Sequence, residues 1–421
     1  MKRIGSHAVA PLLALLLLGQ LSSRLQAEEF FFKDGDRIVI IGDSITEQHL
    51  YSNYVEMWTL SRFPAWKLAF RNVGIGGDVS PGGNGRFKRD VLSFNPTAMT
   101  VDFGMNDGGY QDFDEGRYKR YMTGLQGMAD QAKEARIRVA WITPQPVEHP
   151  QEPGGILGYN QTLERYSAGV KEIADKNGGL FVDQFHPYQA VLDKARAAKV
   201  KDMVGGGDAV HPGGPGQALM AASILRGLHF PALVSSVEID AGSGSPGKIE
   251  NCKVTEVKTG DGGLSFMRQD NALPFFPEEA KTILKWTPIR EELNEYRLKV
   301  NGLKDGKYEV RLGGKKVASF TAEELAKGVN LTETALSAGP VADQVNKLWN
   351  AVKAKNGSYH DRIYRGIVLA SVPDYLQDKD LEPKREAAMK ERSAKVAELD
   401  EAVSNAKAIE PHKVEVVPEA K

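Results

Sequence analysis

Arg37-Ile38-Val39-Ile40-Ile41-Gly42-Asp43-Ser44-Ile45-Thr46 is the stretch on which the fold turns. Residues 38–41 are all β-branched and apolar, with no polar residue between them. Such a run fits a strand buried on both faces, as in a parallel sheet covered by helices. Gly42-Asp43 breaks the run, and a helical pattern follows. A serine at this point sits at the carboxyl end of a strand, where open α/β sheets place their ligand sites. Its hydroxyl and its backbone N–H would both face the crevice. A serine hydroxyl is a weak nucleophile until a base takes its proton. The same residue could equally be a cap for the next helix.

Working outward, similar apolar runs occur at 68–73, 98–103, 139–143 and 180–182. Between them lie helix-period segments: Tyr118, Tyr121, Met122, Leu125 and Met128 in one, Tyr159, Leu163, Tyr166, Val170 and Ile173 in another. A last helix is expected over 217–228. Alternating strands and helices predict a three-layer α/β/α, doubly wound parallel sheet over residues 28–232. After residue 232 the texture changes. Alternating strands at 251–257, 263–268, 296–300, 308–312 and 317–320, with Gly313-Gly314 as a hairpin turn, predict a β-rich module over 233–335. Residues 336–421 read as a helical C-terminal segment. Its part from Leu381 to Ala406, rich in Lys, Glu and Ala, is expected to lie solvated on the surface.

The 421 residues carry 54 basic and 55 acidic side chains, a formal net charge of -1. That balance argues against nucleic acid or an anionic membrane as partner. Cys252 is the one cysteine, so no internal disulfide is possible. Lys2 and Arg3, the apolar run at 12–18 and Leu25-Gln26-Ala27 before Glu28-Glu29 predict a signal peptide over 1–27. The run is too short to span a bilayer, so no integral membrane segment is expected after its removal. The protein is therefore expected to be secreted or periplasmic, in a bacterium.

Three further loops follow strand ends. Asn72-Val73-Gly74-Ile75-Gly76-Gly77-Asp78 is glycine-rich, which lets backbone N–H groups approach a ligand closely. No Walker lysine follows, and a tight turn is the plain alternative. Gly104-Met105-Asn106-Asp107 offers an amide, a neutral donor suited to a developing oxyanion, or simply turn residues. Asp208-Ala209-Val210-His211-Pro212 sets an aspartate three residues before a histidine. That spacing can put the carboxylate beside Nδ1 and leave Nε2 free to take a proton. Each loop alone is common. Together they fall in order at successive strand ends of one sheet.

In these four blocks, Gly42-Asp43-Ser44, residues 72–77, Gly104-Met105-Asn106-Asp107 and Asp208-Ala209-Val210-His211, the sequence resembles the SGNH/GDSL hydrolases, a flavodoxin-like fold. The resemblance covers roughly residues 34–230. It implies Ser44 as nucleophile, His211 as general base and Asp208 as the partner of that histidine. It implies an oxyanion hole made of the Ser44 N–H, the Gly77 N–H and the Asn106 side chain, with Asp107 in a structural place. It implies an esterase working through an acyl-enzyme, with no cofactor and no metal. Similar exported proteins often deacetylate polysaccharides, so an acetylated polymer is the expected substrate. The alternatives are a lipid esterase or thioesterase, a sugar O-acetyltransferase, or a non-catalytic binding or scaffold protein. Trp58, Trp66 and Trp141 can stack on sugars, though core packing is the commoner use of such residues.

Overall fold

The computed structural model describes residues 28–149, 158–371 and 381–420. The expected signal peptide, 1–27, lies outside the described residues. Five strands, β1 (Arg37–Gly42), β2 (Ala69–Asn72), β3 (Ala98–Asp102), β4 (Arg138–Ile142) and β5 (Leu180–Val182), form one sheet in the order β2-β1-β3-β4-β5. Every pairing in it is parallel. Along β1, Ile38 and Ile40 enter one core, and Val39 and Ile41 the other. This is why the run shows no alternation: both faces are covered.

One face is packed by α2 (Leu50–Arg62), α6 (Phe185–Ala197) and α7 (Gly214–Gly227), through residues such as Val55, Leu192 and Leu219. The other is packed by α3 (Ser80–Asp90), α4 (Glu115–Glu134) and α5 (Tyr159–Asn177), through Phe87, Leu125 and Val170. The expected doubly wound α/β/α layering is thus present. A short helix, α1 (Ser44–Glu47), follows β1 directly. The strand order reverses between β1 and β3, whose ends pair at Gly42 and Asp102. In open sheets that reversal opens the ligand crevice. Trp58 and Trp141 are fully buried, and Trp66 stacks on Phe63 with ring centroids 4.0 Å apart. All three serve packing.

The C-terminal half builds two further sheets. Strands β6 (Leu233–Asp240), β7 (Pro246–Glu250), β10 (Glu295–Asn301) and β13 (Val329–Asn330) form the first, in the order β13-β10-β6-β7. Strands β8 (Cys252–Gly260), β9 (Gly263–Asp270), β11 (Lys307–Leu312), β12 (Lys315–Thr321) and β14 (His412–Pro418) form the second. Gly313 and Gly314 both have positive φ, the backbone a two-residue hairpin between β11 and β12 requires. Val237, Leu298, Phe266, Val310 and Val414 share one core with α2 and α7, so these sheets pack on the face of the α/β half that those helices cover.

Strand β14 corrects the expectation that 336–421 is a helical segment. It lies between β11 and β9, antiparallel to both. Val414 and Val416 are buried while Lys413 faces solvent, a period of two that belongs to a strand. The β module therefore needs the chain's end to complete it, and 233–335 is not a closed unit. Helices Pro340–Ser358 and Leu381–Ala406 fill the interval. The second buries only Val396, Val403 and Ala406, as a largely solvated helix should. The first docks on α2: the Lys355 ammonium meets Glu56, and Asn356 Nδ2 donates to Asn53 at 2.7 Å. No helix among the described residues is long and apolar enough to cross a membrane.

Candidate active site

Ser44 is the first residue of α1. Asp43 caps that helix, its carboxylate accepting the Ile45 N–H at 2.9 Å. Asp43, not Ser44, thus fills the capping role, and the Ser44 hydroxyl is left for other use. Its Oγ lies 2.9 Å from His211 Nε2. Gly42 cannot be larger: a Cβ there would lie 2.6 Å from the Asp102 carbonyl. The turn that carries Ser44 is therefore pressed against the end of β3.

His211 sits on the loop before α7. Its Nδ1 is 3.2 Å from Asp208 Oδ2, and Asp208 Oδ1 accepts the N–H groups of Val210 and His211 at 2.8 and 2.7 Å. Burial alone would push the Asp208 carboxyl up, but those N–H groups and the imidazole hold it below the usual carboxylate range. Gly207 makes the tight turn possible, with φ +68° and its Cα against the His211 carbonyl. Glu148 braces the loop from below. It accepts the Gly205 N–H at 2.9 Å and also the Val204 N–H.

The glycine loop and the Asn106 loop close the other side. Asn72 Nδ2 donates to the Thr46 carbonyl and Ser52, each at 2.7 Å, and its Oδ1 accepts the Gly74 N–H. That ties the start of the loop to α1. A Cβ on Gly76 would lie 4.0 Å from Ser44 Cβ, so the loop runs alongside Ser44. Gly77 follows, exposed and with φ +73°. Asn106 Nδ2 donates to the Asp78 carbonyl at 2.9 Å, placing this amide next to Gly77. One N–H of that amide is thereby spent and the other is free for a ligand. The structure thus links Ser44, His211 and Asp208 by hydrogen bonds, and brings the Gly77 and Asn106 loops to the same strand ends.

Carboxylates crowd beneath the site. Burial, aided by Asp107 and Asp78, pushes Asp43 up to about 7 against the pull of the Ile45 N–H. Burial likewise pushes Asp107 up to about 6, although it accepts both the N–H and the hydroxyl of Ser80. Asp107 thereby holds the first residue of α3 and does not reach the reacting groups. Asp102, buried next to Asp43, is held well above the usual range.

Two features escaped sequence reasoning. Tyr110 donates to Asn106 Oδ1 at 2.8 Å and fixes which way that amide faces. A tyrosine four residues past an asparagine is too common to signal this. Glu47, three residues after Ser44, accepts the Gly76 N–H at 2.7 Å. No motif marks it.

Residues 40–219 match the GDSL-like Lipase/Acylhydrolase family. Acetylxylan esterase from Geobacillus stearothermophilus is 25% identical over 219 residues, 47% of this chain and 95% of that protein. Among solved structures, BT4096, a gut microbial diltiazem-metabolizing enzyme, superposes with a TM-score of 0.79 at 25% identity. That match spans 92% of this chain and 98% of the other, so it runs through the C-terminal half as well. The crystal structure of Axe2, an acetylxylan esterase from Geobacillus stearothermophilus, matches with a TM-score of 0.41 at 23% identity, over 48% of this chain and 97% of that one. Fold and family match together define an α/β hydrolase acting on ester bonds. The matched region is the α/β half of the chain, and over it the chain is similar to the SGNH/GDSL hydrolases.

Proposed function

We propose that this protein is an exported serine esterase that removes acetyl groups from a polysaccharide. The observation that carries the reading is the relay Ser44 Oγ, His211 Nε2, His211 Nδ1, Asp208 Oδ2, with links of 2.9 and 3.2 Å. His211 takes the Ser44 proton as Oγ attacks the ester carbonyl. Asp208 keeps the proton on Nδ1, so that Nε2 is the basic nitrogen. The tetrahedral oxyanion is met by the Ser44 N–H, the Gly77 N–H and the free N–H of Asn106. Loss of one such donor typically costs roughly 10²–10³ in rate. His211 then gives its proton to the leaving alcohol. Water, deprotonated by the same imidazole, releases acetate from the acyl-enzyme.

The likeness to an acetylxylan esterase over nearly that protein's whole length supports the acetyl-polymer substrate. The basic start and apolar run within residues 1–27 support export. The test is acetate release from acetylated xylan set beside hydrolysis of nitrophenyl esters of increasing chain length. The reading expects acetate from the polymer and falling rates beyond short acyl chains. Long-chain preference with no acetate from the polymer contradicts it. A second reading, a drug-sized ester in place of a polymer, is favoured by the whole-length likeness to a diltiazem-metabolizing enzyme. Activity on soluble acetate esters without polymer turnover selects it.

A further inference from the structure

The glycine loop is held by a part of the chain that the family match does not reach. Glu47 Oε2 accepts the Gly76 N–H at 2.7 Å, and a Cβ on Gly76 would lie 2.9 Å from that oxygen. The other oxygen, Oε1, lies 3.7 Å from His360 Nε2 and 3.6 Å from Arg365 Nε. Both residues belong to the π-helical segment Tyr359–Val368, well beyond residue 219. The wide turns of a π-helix bring residues four and five apart onto one side. Tyr364 uses that side too. Its hydroxyl lies 3.2 Å from the Val73 carbonyl and 2.8 Å from Asp90 Oδ2, and accepts from Arg86 Nη1 at 3.0 Å. Arg86 Nε in turn binds Asp78 Oδ2 at 2.7 Å. Residues 73, 76 and 78 are thus each gripped by this segment, directly or through one intermediary. The His49 ring packs edge-on against His360, with centroids 4.6 Å apart.

We propose that Glu47, His360 and Arg365 are positioning residues for the ester hydrolysis, locking the Ile75–Gly76 peptide so that the N–H of the next residue, Gly77, faces the oxyanion site before substrate arrives. Two exposed glycines in sequence sample many conformations unless held. Donors fixed in advance need no reorganisation as charge develops, which is the source of oxyanion-hole catalysis. The arrangement also answers an electrostatic problem. An uncompensated carboxylate one peptide away would oppose a developing oxyanion. The Arg365 guanidinium offsets that charge while leaving the carboxylate free to accept the Gly76 N–H. The C-terminal half is thereby part of the catalytic apparatus.

The inference rests on the acyl-enzyme reading with Gly77 as donor, and the test separates the two. In the full-length protein, kcat and KM for nitrophenyl acetate are measured for wild type, Ser44→Ala, Glu47→Ala, Glu47→Gln and Arg365→Ala, with thermal unfolding as the check on folding. Glu47→Ala is expected to lower kcat about 10- to 100-fold with KM within about twofold, because the lost interaction matters in the transition state. Glu47→Gln, whose amide oxygen still accepts the Gly76 N–H, is expected to recover most of that loss. Arg365→Ala is expected to lower kcat about 3- to 10-fold with KM again unchanged. Its side chain is 63% exposed, so it decides the matter with the same kcat-against-KM split should Glu47→Ala not fold. A wild-type kcat in Glu47→Ala or Arg365→Ala, or Glu47→Gln no better than Glu47→Ala, overturns the inference while an inactive Ser44→Ala leaves the esterase reading standing. Full activity in Ser44→Ala overturns both.

Discussion

The Ser44 hydroxyl and the His211 imidazole, 167 residues apart in the chain, meet at 2.9 Å across the crevice at the carboxyl ends of the strands. Ser44 is delivered by the turn after β1 and His211 by the loop before α7. The sheet and α7 therefore fix their separation, and no closing motion is needed to join them. Several consequences can be measured.

Asp208→Asn isolates the second link of the relay. An asparagine oxygen can still accept the Val210 and His211 N–H groups, so the loop keeps its shape. The acceptor for Nδ1 becomes an amide that no longer selects the right tautomer. A buried triad aspartate changed in this way costs roughly 10⁴ in kcat, and Asp208 is 66% exposed, so a smaller loss of about 10² is expected. Steady-state kinetics check it, with KM nearly unchanged and unfolding temperature equal to wild type.

Tyr110→Phe removes the donor to Asn106 Oδ1 and leaves the Asp78 tether in place. One neutral hydrogen bond contributes about 1 kcal/mol, so kcat should fall about 3- to 10-fold. Asn106→Ala, which deletes the proposed oxyanion donor itself, should cost about 10²–10³. Equal losses in the two variants would place Tyr110 in contact with substrate and not merely behind Asn106.

Asp43 governs a pH dependence of stability. Its folded-state value of about 7 lies above the ordinary 3.8, so the folded chain holds a proton that the unfolded chain releases. That stability is complete below about pH 4 and is lost as pH rises through about 7. Asp107, raised to about 6, acts with the same sign. Asp43→Asn keeps an acceptor for the Ile45 N–H and removes the titration. Its unfolding temperature, followed by scanning fluorimetry, should therefore fall less steeply than wild type between pH 4.5 and 7, in the window about these values. An unchanged slope contradicts the assignment.

Lys355→Met tests how the C-terminal half is fastened. Lys355 and Glu56 have side chains only 2% and 3% exposed, so removing one partner leaves a buried charge. Breaking such a pair costs about 3–5 kcal/mol, which Asn356 Nδ2, 2.7 Å from Glu56 Oε2, should hold to the lower end. Denaturant unfolding reads the loss. Because Glu56 lies on α2, the destabilisation should extend to the hydrolase domain and not stay confined to the C-terminal helices.

The α/β half was legible because a strand covered on both faces announces itself as an unbroken apolar run. Residues 38–41 behave this way, and each parallel strand lies within a residue or so of where the pattern placed it. The four loops were legible because their residue types are restricted by chemistry. Strand β14 was not. His412–Pro418 carries the alternating pattern, but it is short and follows a long helix, and its partners β9 and β11 lie about a hundred residues or more upstream. Pairing at such separation leaves no local trace. The Glu47, His360 and Arg365 cluster was hidden for the same reason. Each is an ordinary polar or charged residue on a helical segment, and only the docking of the C-terminal half brings them together.

The most direct measurement treats the folded protein with an organophosphonate ester probe and finds the modified residue by mass spectrometry. A base-activated hydroxyl at residue 44 predicts a single adduct on Ser44, absent in Ser44→Ala and slowed in His211→Ala. An adduct on another residue, or none on folded wild-type protein that still hydrolyses esters, would contradict the account.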